Sequence, residues 1–403
     1  MRAKVPRSER SPLSLMNPSA ESRKNILWIN SDALMPPAPI PSKPWTDLGC
    51  PPEDLVFVVG SVARGEYDRL EAWVRGNRHT AQVIEMLCAR HRAGPFLAWK
   101  LRNTPVWDAL PEAARQRLNK SAELQSSATT DCLEHLDGLA EILGRHGCDY
   151  LLLKGPELGL RFSGAADARG YRDLDILVRA TDRSKACAAF EAAGYWRLSR
   201  WLLGGAVSAL FNHAVDYRMG TRLLDLHWCV SRAPGVHIPT EDLFQRSLTI
   251  DLAGRCQRVL SPADELTLLL TSTFADIQRG YLRLQSFVDI AQVVAQLPPG
   301  SWDGFFQQQA SHGTQEMNRA VLGLVASLFQ CQSIWPGLTV HLPPIPSAEE
   351  SLAVLLPSPG GRTAKRWALP YLPVNRLHYA LWWGFSLPFR VAASHPLFRR
   401  SKP

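Results

Sequence analysis

Three aspartates in two short apolar segments are the residues of this sequence best suited to chemistry. Asp173-Leu174-Asp175 runs directly into Ile176-Leu177-Val178, and Asp225 and His227 lie within Leu223-Leu224-Asp225-Leu226-His227-Trp228. Alternate side chains of a strand share a face. Asp173 and Asp175 therefore point one way while Leu174 and Ile176 enter the core. Two carboxylates a pleat apart repel each other, and a hard divalent cation such as Mg²⁺ relieves that repulsion through oxygen ligands. A turn acid followed by a surface acid gives the same D-x-D text. Asp225 shares its face with His227, and an acid in so apolar a strand is costly to bury unless it is paired or metal-bound. An internal ion pair with an arginine or histidine meets that need as well as a metal does.

A third segment, Leu151-Leu152-Leu153-Lys154-Gly155-Pro156, predicts a buried strand that passes through a glycine into a helix opened by Pro156. Glycine at such a mouth lets phosphate oxygens approach backbone N–H groups and the positive end of the helix dipole, with Lys154 adding a point charge. Most glycines at strand-to-helix turns only make the turn.

The elements that must position these residues can be read around them. Thr130–Arg145 predicts a helix with Leu133, Leu136, Leu139 and Leu143 on one face and Gly147 as its stop. Tyr150–Leu153 is a strand, followed by a helix holding Leu158, Leu160 and Phe162 and a loop over Ser163–Gly170. Next come a strand at Leu174–Val178 and a helix at Ser184–Ala193 closed by Gly194. Ala214–Arg218 and Arg222–Trp228 form a hairpin about Met219-Gly220-Thr221. Residues 52–124 read as helical, and so does most of the chain beyond Pro239, with Glu265–Phe274 and Leu282–Leu297 the clearest helices there.

Together, L-L-L-K-G at 151–155, R-x-x-x-D-L-D-I-L-V at 169–178 and L-D-L-H-W at 224–228 resemble the nucleotidyltransferase superfamily typified by DNA polymerase β. They resemble more closely its uncharacterised nucleotidyltransferase family, found beside bacterial peptide and polysaccharide biosynthesis genes. Arg283 to Asp289 also fits. The resemblance spans about residues 80–390 and is specific over about 128–230. It implies an α/β (α+β) fold, a mixed-sheet polymerase β-like core flanked by N- and C-terminal helical regions. It implies that Asp173, Asp175 and Asp225 hold two Mg²⁺ ions and that Asp225 orients or deprotonates the acceptor. Nucleotide binding would fall to Lys154, Gly155, Arg169 and Arg172, and His213 and His227 would be packed, hydrogen-bonded neighbours. The superfamily's usual Gly-Ser turn is here Gly155-Pro156, which lacks the hydroxyl and one N–H, and the stretch from Gly155 to Asp173 is longer than in compact members. A second Gly-Ser, at Gly60-Ser61, is rejected because no D-x-D strand follows it.

Composition sets the frame. The 403 residues suit two or three domains: a Pro-rich segment 1–50, helical residues 51–127, a core at 128–235, a helical domain at 236–350 and a basic aromatic tail at 351–403. No run approaches the ~18 apolar residues of a membrane-spanning helix, and no secretory h-region follows the N-terminal arginines. Eight scattered cysteines form no C-x-x-C pair, which favours free thiols in a reducing cytoplasm. The net charge of +8 equals that of residues 351–403, where eight basic residues meet no acidic one. Charge confined to a tail does not describe a nucleic-acid-coating body, and no specific nucleic acid is predicted.

The function expected is transfer of an NMP from an NTP to a hydroxyl of a small molecule, peptide or glycan in a biosynthetic pathway, with Mg²⁺ as cofactor. Two other readings compete: a degenerate member that binds nucleotide or partner without turnover, and an interaction protein working through its basic tail. Residues 361–403 would serve peripheral membrane or acidic-partner contact.

Overall fold

The computed structural model describes residues 49–198, 213–231, 233–331, 335, 337–356 and 367–372. The Pro-rich segment 1–48 and the tail, apart from 367–372, lie outside the described residues. Six helices come first: α1 (Pro52–Arg64), α2 (Tyr67–Gly76), α3 (Thr80–Ala89), α4 (Gly94–Leu101), α5 (Pro105–Ala109) and α6 (Glu112–Arg145). The Gly60-Ser61 pair is buried inside α1, so it makes no phosphate turn. The helix expected at Thr130–Arg145 is the second half of the 34-residue α6.

Then follow β1 (Tyr150–Leu153), α7 (Pro156–Leu158), β2 (Leu174–Val178), α8 (Arg183–Ala192), β3 (Trp196–Arg197), β4 (Ala214–Met219) and β5 (Arg222–His227). Beyond them lie α9 (Thr240–Gln245), β6 (Leu248–Leu252), β7 (Arg255–Val259), α10 (Pro262–Arg279), α11 (Leu284–Gln296), α12 (Trp302–His312), α13 (Gln315–Leu328) and α14 (Ala348–Leu355). The strands form one mixed seven-stranded sheet in the order β3-β4-β5-β2-β1-β7-β6. Parallel pairing joins β2 to β5 and β1 to β7, and the remaining neighbours are antiparallel. The sheet thus extends past residue 235 to take in the β6–β7 hairpin.

Period-two alternation splits the strand residues between two cores. Leu174, Ile176 and Val178 of β2 and Leu224 and Leu226 of β5 pack with Leu136, Leu139 and Leu143 of α6 and Phe190 of α8. On the opposite face, Leu151, Leu153 and Leu177 meet Leu243 and Phe244 of α9 and Leu268 of α10. Asp175, Asp225 and His227 belong to this second face by parity. A third core joins α1–α5 to α10–α13, so residues 51–127 and 236–350, distinct stretches in sequence, bury one another's apolar surface. Among the described residues no helix is long and apolar enough to cross a membrane. All eight cysteines are free thiols.

Candidate active site

Parallel pairing of β2 with β5 sets Asp175 directly beside Asp225, and antiparallel pairing of β4 with β5 sets Asp216 on Asp225's other side. Asp173 stands immediately ahead of β2. The structure therefore gathers Asp173, Asp175 and Asp225, and adds Asp216. That fourth acid went unnoticed in the sequence, although the turn at Gly220-Thr221 fixes its place: pairing Met219 with Arg222 and counting back puts Asp216 against Asp225.

The carboxyls feel one another. Burial, then the charges of Asp216, Asp175 and Asp173, push Asp225 well above the usual carboxylate range. Burial raises Asp173, and Asp175 raises it further against the pull of Arg92 and Arg169. Burial acts to raise half-buried Asp175 too, but a hydrogen bond from His227, aided by Lys154 and Arg169, takes it below its ordinary value. His227 Nε2 lies 3.0 Å from Asp175 Oδ1. His213 packs its ring 5.5 Å from that of His227 and accepts the Trp228 N–H on its backbone carbonyl at 3.0 Å. One ligand atom from each of Asp175, Asp225 and His227 falls within 4.8 Å of the others. Crowded half-buried oxygens with one adjoining nitrogen fit a divalent cation.

Lys154 and Gly155 follow β1, whose Leu153 pairs with Asp175. Both residues hold left-handed backbone, with φ of 51° and 70°. For Lys154 that conformation costs roughly 1–2 kcal/mol; for Gly155 it is the reason for a glycine. The Lys154 ammonium donates to Ser272 Oγ on α10 at 3.1 Å. The helix expected after Pro156 forms as one α-turn, Pro156–Leu158, running into a π-turn at Gly159–Ser163. So short an element has little macrodipole. What Lys154-Gly155 offers a phosphate is a charge and a strained turn.

The arginines divide into two kinds. Arg169 is nearly buried and locked to Asp289 of α11, with Nε and Nη2 at 3.0 and 2.9 Å from Oδ2. Arg172 is exposed beside Asp173. Two more were not foreseen. The His91 carbonyl and Nδ1 accept the N–H groups of Gln285 and Leu284, both at 3.3 Å, which fixes the α3–α4 loop to the start of α11. Gly170 packs against the Arg92 carbonyl so closely that a Cβ there would lie 2.5 Å from it. Arg92 is thus brought to Arg169, Arg172, Asp173 and Arg283. Burial, then the charge of Arg283, lowers Arg92 to about 10. No motif marks Arg92, which comes from a loop far upstream. Four acids facing a group of arginines and Lys154 can hold a divalent cation on one side and a polyphosphate on the other.

The model of an uncharacterised nucleotidyltransferase family matches residues 81–330, a span that contains every residue of this site. No curated protein matches the sequence. Among solved structures, the antibiotic-resistance factor ANT(2'')-Ia is similar with a TM-score of 0.34 and 12% identity, over 45% of this chain and 94% of that one. An antigenic nucleotidyltransferase-like protein from Paracoccidioides brasiliensis gives a TM-score of 0.31 and 18% identity, over 55% of this chain and 94% of that one.

Proposed function

The chain belongs to this uncharacterised nucleotidyltransferase family, whose model covers more than half of it, and we propose that it transfers an NMP from an NTP to a hydroxyl of a small-molecule, peptide or glycan acceptor with Mg²⁺ as cofactor. The observation that supports this most is the register of Asp175 with Asp225 on adjacent parallel strands, with Asp173 one turn of chain ahead. On this reading residues 128–235 carry the acids of the catalytic unit, and the flanking residues 51–127 and 236–350 add Arg92, Arg283 and the β6–β7 hairpin.

Asp173, Asp175 and Asp225 would hold the metal, which when bound screens the triphosphate and makes the acceptor hydroxyl more acidic. Arg172, Arg92, Arg283 and Lys154 bind the phosphate oxygens, and Arg169, committed to Asp289, braces the group from behind. Asp225 takes the acceptor's proton. The acceptor oxygen forms the new bond to the α-phosphorus while the bond to the bridging oxygen breaks, and pyrophosphate leaves. No P-loop and no kinase motif set occurs in the sequence, which disfavours attack at the γ-phosphorus.

Incubation with a cell extract and NTP labelled at the α or the γ position tests the reaction type. Product labelled only from the α position, with pyrophosphate released and both signals lost in Asp173→Asn, is expected. Transfer of the γ label would make the enzyme kinase-like and overturn the reading.

A non-catalytic, nucleotide-binding role is the second reading. It is favoured by Pro156 in place of a hydroxyl residue and by the internal pairing of Arg169. Contact of residues 361–403 with a membrane surface or acidic partner is a separate proposal.

A further inference from the structure

His227 follows Asp225 by two residues on β5, so both side chains leave the sheet on the same face. It pairs with Leu177, one pleat beyond Asp175. Its Nε2 faces Asp175 Oδ1 at 3.0 Å, and its ring is kept beside that of His213. Asp173 stands differently. It precedes the strand, adjoins Arg92 and Arg169, and does not join the group of Asp175, Asp225 and His227 whose ligand atoms lie within 4.8 Å of one another. The carboxylate cluster is therefore asymmetric: oxygen alone at the Asp173 end, oxygen and imidazole nitrogen at the Asp225 end.

Nitrogen and oxygen ligands bind an ion such as Zn²⁺ at about 2.0–2.2 Å, so ligand atoms within 4.8 Å of one another are close to the spacing an ion needs. Mg²⁺ prefers an all-oxygen shell, whereas imidazole suits first-row transition ions. Resting on the metal-dependent reading above, we propose that His227 is a nitrogen ligand to the cation shared by Asp175 and Asp225, and that this end of the site selects a transition ion such as Mn²⁺ over Mg²⁺. Coordination uses the Nε2 lone pair, so the ring's remaining proton sits on Nδ1 and any proton on Nε2 is released to solvent. Asp175, no longer bonded to His227, turns its oxygen to the same ion.

The test uses the full-length protein loaded with Mn²⁺ alone. Electron spin-echo spectroscopy reads nitrogen coupled to the metal, and calorimetry reads Mn²⁺ and Mg²⁺ affinities. The parent should show imidazole nitrogen coupling that disappears in His227→Gln. That variant should lose at least about tenfold in Mn²⁺ affinity while Mg²⁺ affinity changes far less. His227→Asp, which restores an oxygen donor, should bind Mg²⁺ no worse than the parent and show no nitrogen coupling. Absence of nitrogen coupling in the parent, its persistence in His227→Gln through His213, or an equal loss of both ions would overturn the proposal. The spectrum of the parent decides even if His227→Gln fails to fold. A parent that binds neither ion, or binds both equally after Asp225→Asn, would sink the metal-dependent reading itself, a result distinct from intact metal binding without nitrogen.

Discussion

Asp216 and Asp225 face each other as directly paired residues across the β4–β5 ladder. Two carboxylates so placed repel each other when both are charged, and a bound cation relieves that repulsion. Asp216 is thus a partner of the proposed ligand Asp225. Replacing it with Leu should weaken Mg²⁺ binding by about 10–100-fold, the range for residues that orient a metal ligand. Asp216→Asn, which can still hydrogen-bond, should weaken it less. Calorimetric titration of both variants makes the comparison.

Asp175→Asn removes the carboxyl that lies beside both Asp225 and His227. Loss of Mg²⁺-dependent NTP binding by more than about 100-fold is expected, with an unfolding midpoint close to the parent's, since relief of carboxylate repulsion offsets the lost hydrogen bond. Unchanged affinity for Mg·NTP would exclude this carboxyl from the metal site.

Arg92 and Arg172 should act on the triphosphate. Arg92→Ala and Arg172→Ala are each expected to raise the Kd for NTP by about tenfold or more, roughly 1.4 kcal/mol, and to affect nucleoside monophosphate much less. Equal effects on NTP and NMP would place these side chains at the base or sugar instead.

The Arg169–Asp289 pair ties the loop ahead of β2 to α11, and Asp289 also accepts from Gln285 Nε2 at 2.7 Å. Arg169→Ala leaves the buried Asp289 charge without its counter-ion, which costs on the order of 3–5 kcal/mol. The double variant Arg169→Met/Asp289→Leu should recover most of it. Urea unfolding of the three proteins checks this, and a mild single variant would show that water replaces the guanidinium.

Glu157 of α7 and Glu265 of α10 are fully buried and adjacent, and neither oxygen of Glu265 has a hydrogen-bond donor among the described residues. Burial, then the Glu157 charge, raises Glu265 well above its ordinary value, and burial raises Glu157 to about 7 despite its 2.9 Å pair with Arg161. Above the ordinary value of 4.5, the unfolded chain sheds a proton that the folded chain keeps. Unfolding then releases protons, so stability should fall as pH rises from about 4.5 through 7 and beyond. Glu265→Gln should flatten that slope and exceed the parent's stability at alkaline pH. Melting temperatures across pH 4–9 would show an unchanged slope if the pair were not responsible.

Strands β2, β4 and β5 were legible, as were Asp173, Asp175 and Asp225 but not Asp216, because alternation of apolar and polar residues is the strands' whole signal. The first half of α6 was less so. Its polar face buries Gln125 and Thr129, which bond the Tyr171 N–H and hydroxyl at 3.1 and 2.7 Å, so its helix is fixed by partners more than 40 positions away. The β6–β7 hairpin escaped notice because its turn is Ala253-Gly254, with φ of 54° and 79°, and lacks the Asn or Asp that usually marks such turns. Arg92 reaches the site through the His91 bonds to α11 and the packing of Gly170 on its carbonyl, contacts that no local pattern encodes.

The shared core of α1–α5 with α10–α13 sets an order of events during synthesis. Leu55, Val59, Phe96 and Leu97 leave the ribosome long before Leu270, Phe287 and Phe329, against whose core they are buried. The sheet is made in between. For the time taken to translate more than a hundred residues, at about 5–20 per second, the early helices hold apolar faces with no permanent partner. Those faces gain their native cover only once α13 has emerged.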